Sequence, residues 1–245
     1  MSTPPFILSG DLEQAEIFFT AEHASNKLPE PLEWKPEEAF IKDTHWALDI
    51  GIQDLIDQML PNLSCAAITS THTRLFCDLN RDPARSDLIR EYVDDCQLSF
   101  NHNLSTADRK SRIKTCHQGY HDGLDRYLTA RRSTTLPKIL ISLHSFTPIW
   151  NNKLRTMDIG VLFCEQSPLV DLFYNSWKKQ GYFVARNEPY TGVSGLMYSV
   201  HRHGIQHQIP YIELEYNQSL LCSADRIAKV AKDTVDVINR IYEFL

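Results

Sequence analysis

His144 lies in Ile141-Ser-Leu-His-Ser-Phe-Thr-Pro148, at the end of Lys138-Ile-Leu-Ile-Ser-Leu143. That apolar, β-branched-rich run reads as a buried strand. A neutral imidazole at the C-terminal edge of a strand is where an open α/β sheet places its chemistry. Phe18-Phe-Thr-Ala-Glu-His-Ala-Ser-Asn26 has the same form, an apolar strand that stops at His23 and opens into a polar loop. Two strands ending in histidine suggest two ligands of one divalent metal, commonly zinc in such a setting.

Other polar groups fall at comparable places. Asn26, three residues after His23, can present an amide oxygen to the same point. Arg74-Leu-Phe-Cys-Asp-Leu-Asn-Arg81 sends two arginines and an asparagine out of an apolar stretch, and a guanidinium fork suits a carboxylate. Glu213 in Tyr211-Ile-Glu-Leu214 is an acid inside an apolar strand; burial there raises its pKa and suits it to take a proton from water. Tyr190, in Asn187-Glu-Pro-Tyr-Thr-Gly192, places a hydroxyl on a turn-rich loop. The remaining histidine clusters invite plainer readings. His201, His203 and His207 read as part of a solvated, adaptable loop. His117 and His121 have the i, i+4 spacing of a helical metal pair but lack the intervening glutamate of H-E-x-x-H, and read as surface residues.

The elements that must hold these groups alternate. Strands are expected at Cys65–Ser70, Met157–Phe163, Tyr182–Ala185 and Ile209–Glu215, and helices at Asp43–Leu60, His117–Arg132, Pro168–Gln180 and Ser223–Leu245. This order predicts an α/β fold, a mainly parallel mixed sheet flanked by helices on both faces, with its loops converging on one rim. A single domain across residues 1–245 is expected, with a surface excursion around 85–115 where periodicity fades. The chain of 245 residues is 42% hydrophobic with a formal charge of -6. That balance argues against a nucleic-acid partner. No run approaches a membrane span, and the start, Met-Ser-Thr-Pro-Pro-Phe, lacks signal-peptide character, so a cytoplasmic location is expected. Six cysteines without C-x-x-C pairing read as reduced and structural.

Taken in order, Glu22-His-Ala-Ser-Asn26, His45-Trp-Ala-Leu-Asp-Ile-Gly51, Arg74–Arg81, Leu143-His-Ser-Phe-Thr-Pro148, Asn187-Glu-Pro-Tyr190 and Ile212-Glu-Leu214 resemble the N-formylglutamate amidohydrolase family over roughly residues 15–225. The resemblance implies a zinc carboxypeptidase-like fold and metal-dependent hydrolysis of the amide of a small N-acyl amino acid. N-formyl-L-glutamate would give formate and L-glutamate, a step in histidine catabolism. It implies His23 and His144 as metal ligands and Glu213 as the catalytic glutamate that takes a proton from water. Asn80 and Arg81 would clamp a substrate carboxylate, and Tyr190 would be a mobile tyrosine. Arg155 matches a family arginine after the His144 loop and would hold a substrate carboxylate or be an ordinary salt-bridge partner; Arg74 or Arg155 would steady the oxyanion. Where carboxypeptidases carry a glutamate ligand this chain has Asn26, so the third ligand is Asn26, Asp49 or Glu22. Alternatives are a hydrolase of another N-acyl amino acid or small peptide, or a non-catalytic binding module on the same fold.

Overall fold

The computed structural model describes residues 4–132 and 137–244. The first half contains β1 (Phe6–Gly10), β2 (Ile17–Ala21), α1 (Ile52–Met59), β3 (Cys65–Ser70), β4 (Tyr92–Val93), β5 (Cys96–Gln97), α2 (Thr106–Arg112) and α3 (Gly119–Arg131). The second contains β6 (Ile139–Phe146), β7 (Ile149–Trp150), β8 (Lys153–Leu154), β9 (Ile159–Leu162), α4 (Pro168–Lys179), β10 (Val184–Arg186), α5 (Tyr198–His207), β11 (Tyr211–Asn217) and α6 (Ala224–Tyr242). Residues 1–3 of the expected leaderless start and Leu245 of the expected last helix lie outside the described residues.

Among the described residues, seven strands form one sheet in the order β1-β3-β2-β6-β11-β9-β10. β3, β2, β6 and β11 run parallel, β1 and β9 are each antiparallel to a neighbour, and β10 follows β9 in parallel. The mainly parallel mixed sheet is therefore present, with helices on both faces. Strand alternation sorts the side chains. Ile139, Ile141, Leu143, Ile212, Leu214 and Tyr216 pack with α1, α4 and α6. Leu140 packs on the other face, with Tyr120, Leu124 and Leu128 of α3 and Val200 of α5. Continuing that second set, Ser142 and His144 on β6 stand in register with Glu213 and Glu215 on β11. One face of the sheet thus turns from apolar to ionisable towards the C-terminal ends of its parallel strands, where an open α/β sheet puts its crevice.

Several expected elements changed. The helix expected from Asp43 begins only at Ile52, because Gly51 at its N-cap has φ 82°. Residues 43–50 are instead drawn into the crevice: the Asp49 N–H donates to the His23 carbonyl (2.9 Å) and Thr73 Oγ1 to that of Ala47 (2.7 Å). Asp49 therefore sits on a turn, not on a helix. The segment around His201 is not a solvated loop but α5, with His203 and His207 buried. His117 and His121 are buried too, at 3% and 2% exposure, rather than on the surface. Sequence periodicity misses these sites because an isolated histidine on a helix face looks the same whether another helix or water covers it. The 86–100 stretch carries the β4–β5 hairpin, and Val93, Leu98 and Phe100 pack with Ile41, Ala47 and Leu75 in a small cluster of their own.

Gly51 couples this turn to the core. A Cβ there would lie 2.5 Å from Leu221 Cβ, and a left-handed φ strains any L side chain. Gly51→Ala is expected to lower stability by about 1–3 kcal/mol, read as a lower urea midpoint with an unchanged m-value.

Candidate active site

His23 lies two residues past the end of β2, and its Nε2 lies 2.7 Å from Asp78 Oδ1. A carboxylate only accepts, so Nε2 carries a proton. The buried Nδ1 has no hydrogen-bond partner and faces Asp49 Oδ2 at 3.4 Å. Across the crevice, His144 Nδ1 is 2.7 Å from the same Asp49 oxygen, and the two ring centroids are 4.8 Å apart. One ligand atom each from His23, Asp49 and His144 lie within 4.8 Å of one another. Asp49 is held there by the Ser145 N–H (3.3 Å) and by Arg74 Nη1 (3.4 Å).

Glu22 lies behind this cluster, accepting from Tyr120 Oη (3.2 Å) and Ser142 Oγ (3.0 Å), with Oε2 3.2 Å from His144 Nε2. Glu213 Oε2 is 3.5 Å from the same nitrogen and accepts from Asn80 Nδ2 at 3.3 Å. Asn80 is otherwise committed, donating to the Leu196 carbonyl and accepting from the Ser199 N–H. Asn26 stands outside the cluster: its amide donates to Asp43 Oδ1 at 2.8 Å on the exposed side. The structure thus brings His23, Asp49, His144, Glu22, Asn80 and Glu213 together and leaves Asn26 apart.

Two groups escaped the sequence reading. Asp78 is buried and pairs with Arg81 (3.1 Å), Arg74 and His23. Glu215, buried with Oε2 unpartnered, follows Glu213 by two residues. The period of a strand, which puts both on one face, was the signal that could have found it.

The electrostatics divide these acids. Burial alone would raise Glu22 and Asp49, but their imidazole neighbours overcome it and hold both well below the carboxylate range. Asp78 is held down likewise, by Arg74 and His23 against burial. Burial dominates at Glu213, which is pushed up to about 7, and at Glu215, also raised well above its ordinary value. His144 goes the other way: burial opposes its charge, but Glu213, Asp49 and Glu22 raise its pKa well above the usual range. The site therefore demands positive charge. Two imidazoles and an intervening carboxylate, with a buried His23 Nδ1 that has no hydrogen-bond partner, form a donor set that suits a divalent metal, and a proton on His144 competes for the same place.

A cavity of about 360 Å³ opens above this floor. Phe146, Trp150 and Tyr190 form one wall, and the Arg155 guanidinium stacks on all three rings at 5.3–5.7 Å, with its Nη1 3.5 Å from Tyr190 Oη. Toward solvent, Arg81, Arg85 and Arg90 converge on the single carboxylate of Asp87 at 3.1, 2.8 and 3.6 Å.

A mixed α/β sheet with buried acids and histidines at its C-terminal edge describes a hydrolase-like crevice. The sequence matches the family model for N-formylglutamate amidohydrolase over residues 15–222, and the chain belongs to that family. Among solved structures it is similar to a gene product of Agrobacterium tumefaciens (TM-score 0.89, 20% identity, covering 98% of this chain and 96% of that one). It is also similar to N-formylglutamate amidohydrolase from Ralstonia eutropha JMP134 (TM-score 0.73, 20% identity, 99% and 98%). No curated protein matches. Among the described residues no helix is long and apolar enough to cross a membrane.

In metal-free protein, Glu213 keeps its proton in the folded chain up to about 7, whereas its ordinary value is 4.5. The folded state binds more protons than the unfolded state between those values, so this contribution to stability falls as pH rises through the window. Urea melts of chelator-treated protein are expected to show that decline, and Glu213→Gln to flatten it.

Proposed function

We propose that this chain hydrolyses the amide of an N-acyl amino acid, N-formyl-L-glutamate above all, releasing formate and L-glutamate in a metal-dependent reaction. The observation that carries this reading is Glu213: a buried carboxyl held near neutrality, facing the His23–Asp49–His144 cluster at the floor of a small cavity. Family membership supports the reaction class.

A divalent cation, of the zinc class by its donor set, would be held by His23, Asp49 and His144 and would supply Lewis-acid polarisation of the scissile carbonyl and of water. The chain's own residues do the rest. Glu213 takes a proton from the attacking water and returns it to the leaving nitrogen, a task suited to a pKa near the working pH. Asn80, turned inward, keeps the Glu213 carboxyl beside the reacting atoms. Arg74, whose Nη1 is only loosely held by Asp49 at 3.4 Å, meets the oxyanion as it develops. Tyr190, its pKa raised first by burial, remains a neutral donor on the cavity wall.

The preference for a dicarboxylic amino acid is supported by the outer cavity. Three guanidiniums share the Asp87 carboxylate, an excess of positive charge suited to the two carboxylates of N-formylglutamate. Arg81 and Arg90 bind there in this reading. Arg155 has no carboxylate within ion-pair distance among the described residues, and is a further candidate for substrate contact.

Glu213→Gln is expected to keep the bound metal but to lose roughly 10²–10⁴ in kcat, measured as formate release; a variant with full turnover would remove Glu213 as the base. Arg90→Ala is expected to raise KM for N-formyl-L-glutamate several-fold more than for N-formyl-L-alanine. A panel of N-formyl and N-acetyl amino acids scored by amine release fixes the acyl group. Equal rates across side chains would point to a general N-acyl amino acid hydrolase.

A further inference from the structure

Behind the Asp78–Arg81 segment, α3 and α5 enclose a second group of ionisable residues that the hydrolytic reading does not use. Asp125 Oδ1 lies 2.8 Å from His203 Nδ1; His203 Nε2 lies 2.9 Å from His121 Nδ1; His121 Nε2 lies 3.0 Å from the Leu79 carbonyl. Both ends of this chain, a carboxylate and a carbonyl, only accept. The three gaps between them each require something positive, and two neutral imidazoles carry only two protons. The chain of two neutral rings is therefore one proton short, even with the Arg202 guanidinium beside it, 3.4 Å from His203 Nε2.

The deficit is best met at the Asp125 end. His207, one helical turn after His203, brings its Nε2 to 2.9 Å from the same Asp125 oxygen, and one ligand atom each from Asp125, His203 and His207 lie within 4.8 Å of one another. Arg202 Nη2 binds the other carboxylate oxygen at 2.8 Å and leaves Oδ1 to the histidines. The side chains of His203 and His207 are 0% and 3% exposed, while that of Asp125 is 18% exposed, enough for water to complete a coordination shell.

We propose that Asp125, His203 and His207 hold a divalent transition-metal ion of the zinc class, at a site separate from the His23–Asp49–His144 cluster. Two imidazoles at i, i+4 on a helix with one carboxylate are a donor set suited to such an ion. With the ion on His203 Nδ1, the ring's proton sits on Nε2 and is donated to His121, whose own proton goes to Leu79. Every gap is then filled by neutral rings, in the pattern by which a ligating histidine is oriented through its second nitrogen. The tether ends between Asp78, which binds His23, and Asn80, which binds Glu213. The second ion thereby acts as a positioning device for the catalytic floor.

The test uses the full chain, stripped with chelator and dialysed against zinc chloride at limiting free concentration, with bound zinc measured by elemental analysis. Wild-type protein is expected to hold about two equivalents, and a His23→Ala/Asp49→Asn variant, which removes the first cluster, about one. Adding His207→Ala to that variant should abolish the remaining equivalent. Because the third variant can fail to fold, ring-nitrogen NMR of the double variant provides an independent reading: zinc should shift the His203 and His207 resonances. The proposal is overturned if the double variant holds no zinc. It is equally overturned if its zinc survives His207→Ala, or if the ring spectrum shows a doubly protonated histidine in this chain with zinc present.

Discussion

Carboxylates removed from water persist only where positive charge or donors meet them, and this fold gathers Glu22, Asp49, Asp78, Glu213 and Glu215 around two imidazoles. Arg74 and Arg81 meet part of that demand, mainly at Asp78. The remainder falls on the His23–Asp49–His144 cluster, where a proton and a divalent ion are alternative answers. The rest of the architecture can be understood as keeping this charge in place. Parallel β2, β6 and β11 bring their C-terminal ends to one edge. The 43–50 turn delivers Asp49 between two rings that belong to different strands. Acids nearest the imidazoles stay ionised, while Glu213 and Glu215, on the next strand, are left to burial. Such an arrangement separates acids held ionised by neighbouring charge from acids whose pKa burial raises.

The sequence carried much of this because strands write their pattern in apolar residues. The runs ending at His23 and His144 and the acid within Tyr211–Leu214 stood out against their surroundings, and Cys65–Ser70 has the bounds expected of it. The 43–51 region did not declare itself. Its apolar spacing is close to helical, and Gly51 together with tertiary hydrogen bonds to His23 and Thr73 turns it instead. That difference decides the place of Asp49 in the cluster, while Asn26, three residues after His23, is paired with Asp43.

The helical histidines mark a second limit. His117, His121, His203 and His207 lie on elements with modest apolar faces, where composition favours water as the neighbour. Packing of α3 against α5 buries them, and their partners come from far along the chain: Leu79 and Arg81 carbonyls for one helix, Asp125 for the other. Hydrogen bonds spanning 36 to 82 positions leave no trace in local spacing.

The 86–100 excursion packs mostly on its own small cluster, yet it supplies Asp87 and Arg90 to the cavity's outer end. In the proposed reading, recognition of the ligand's charged periphery is housed on a peripheral loop, whereas bond cleavage belongs to the sheet. Such a division would let selectivity change by exchange of one surface insertion while the reactive core is left as it is.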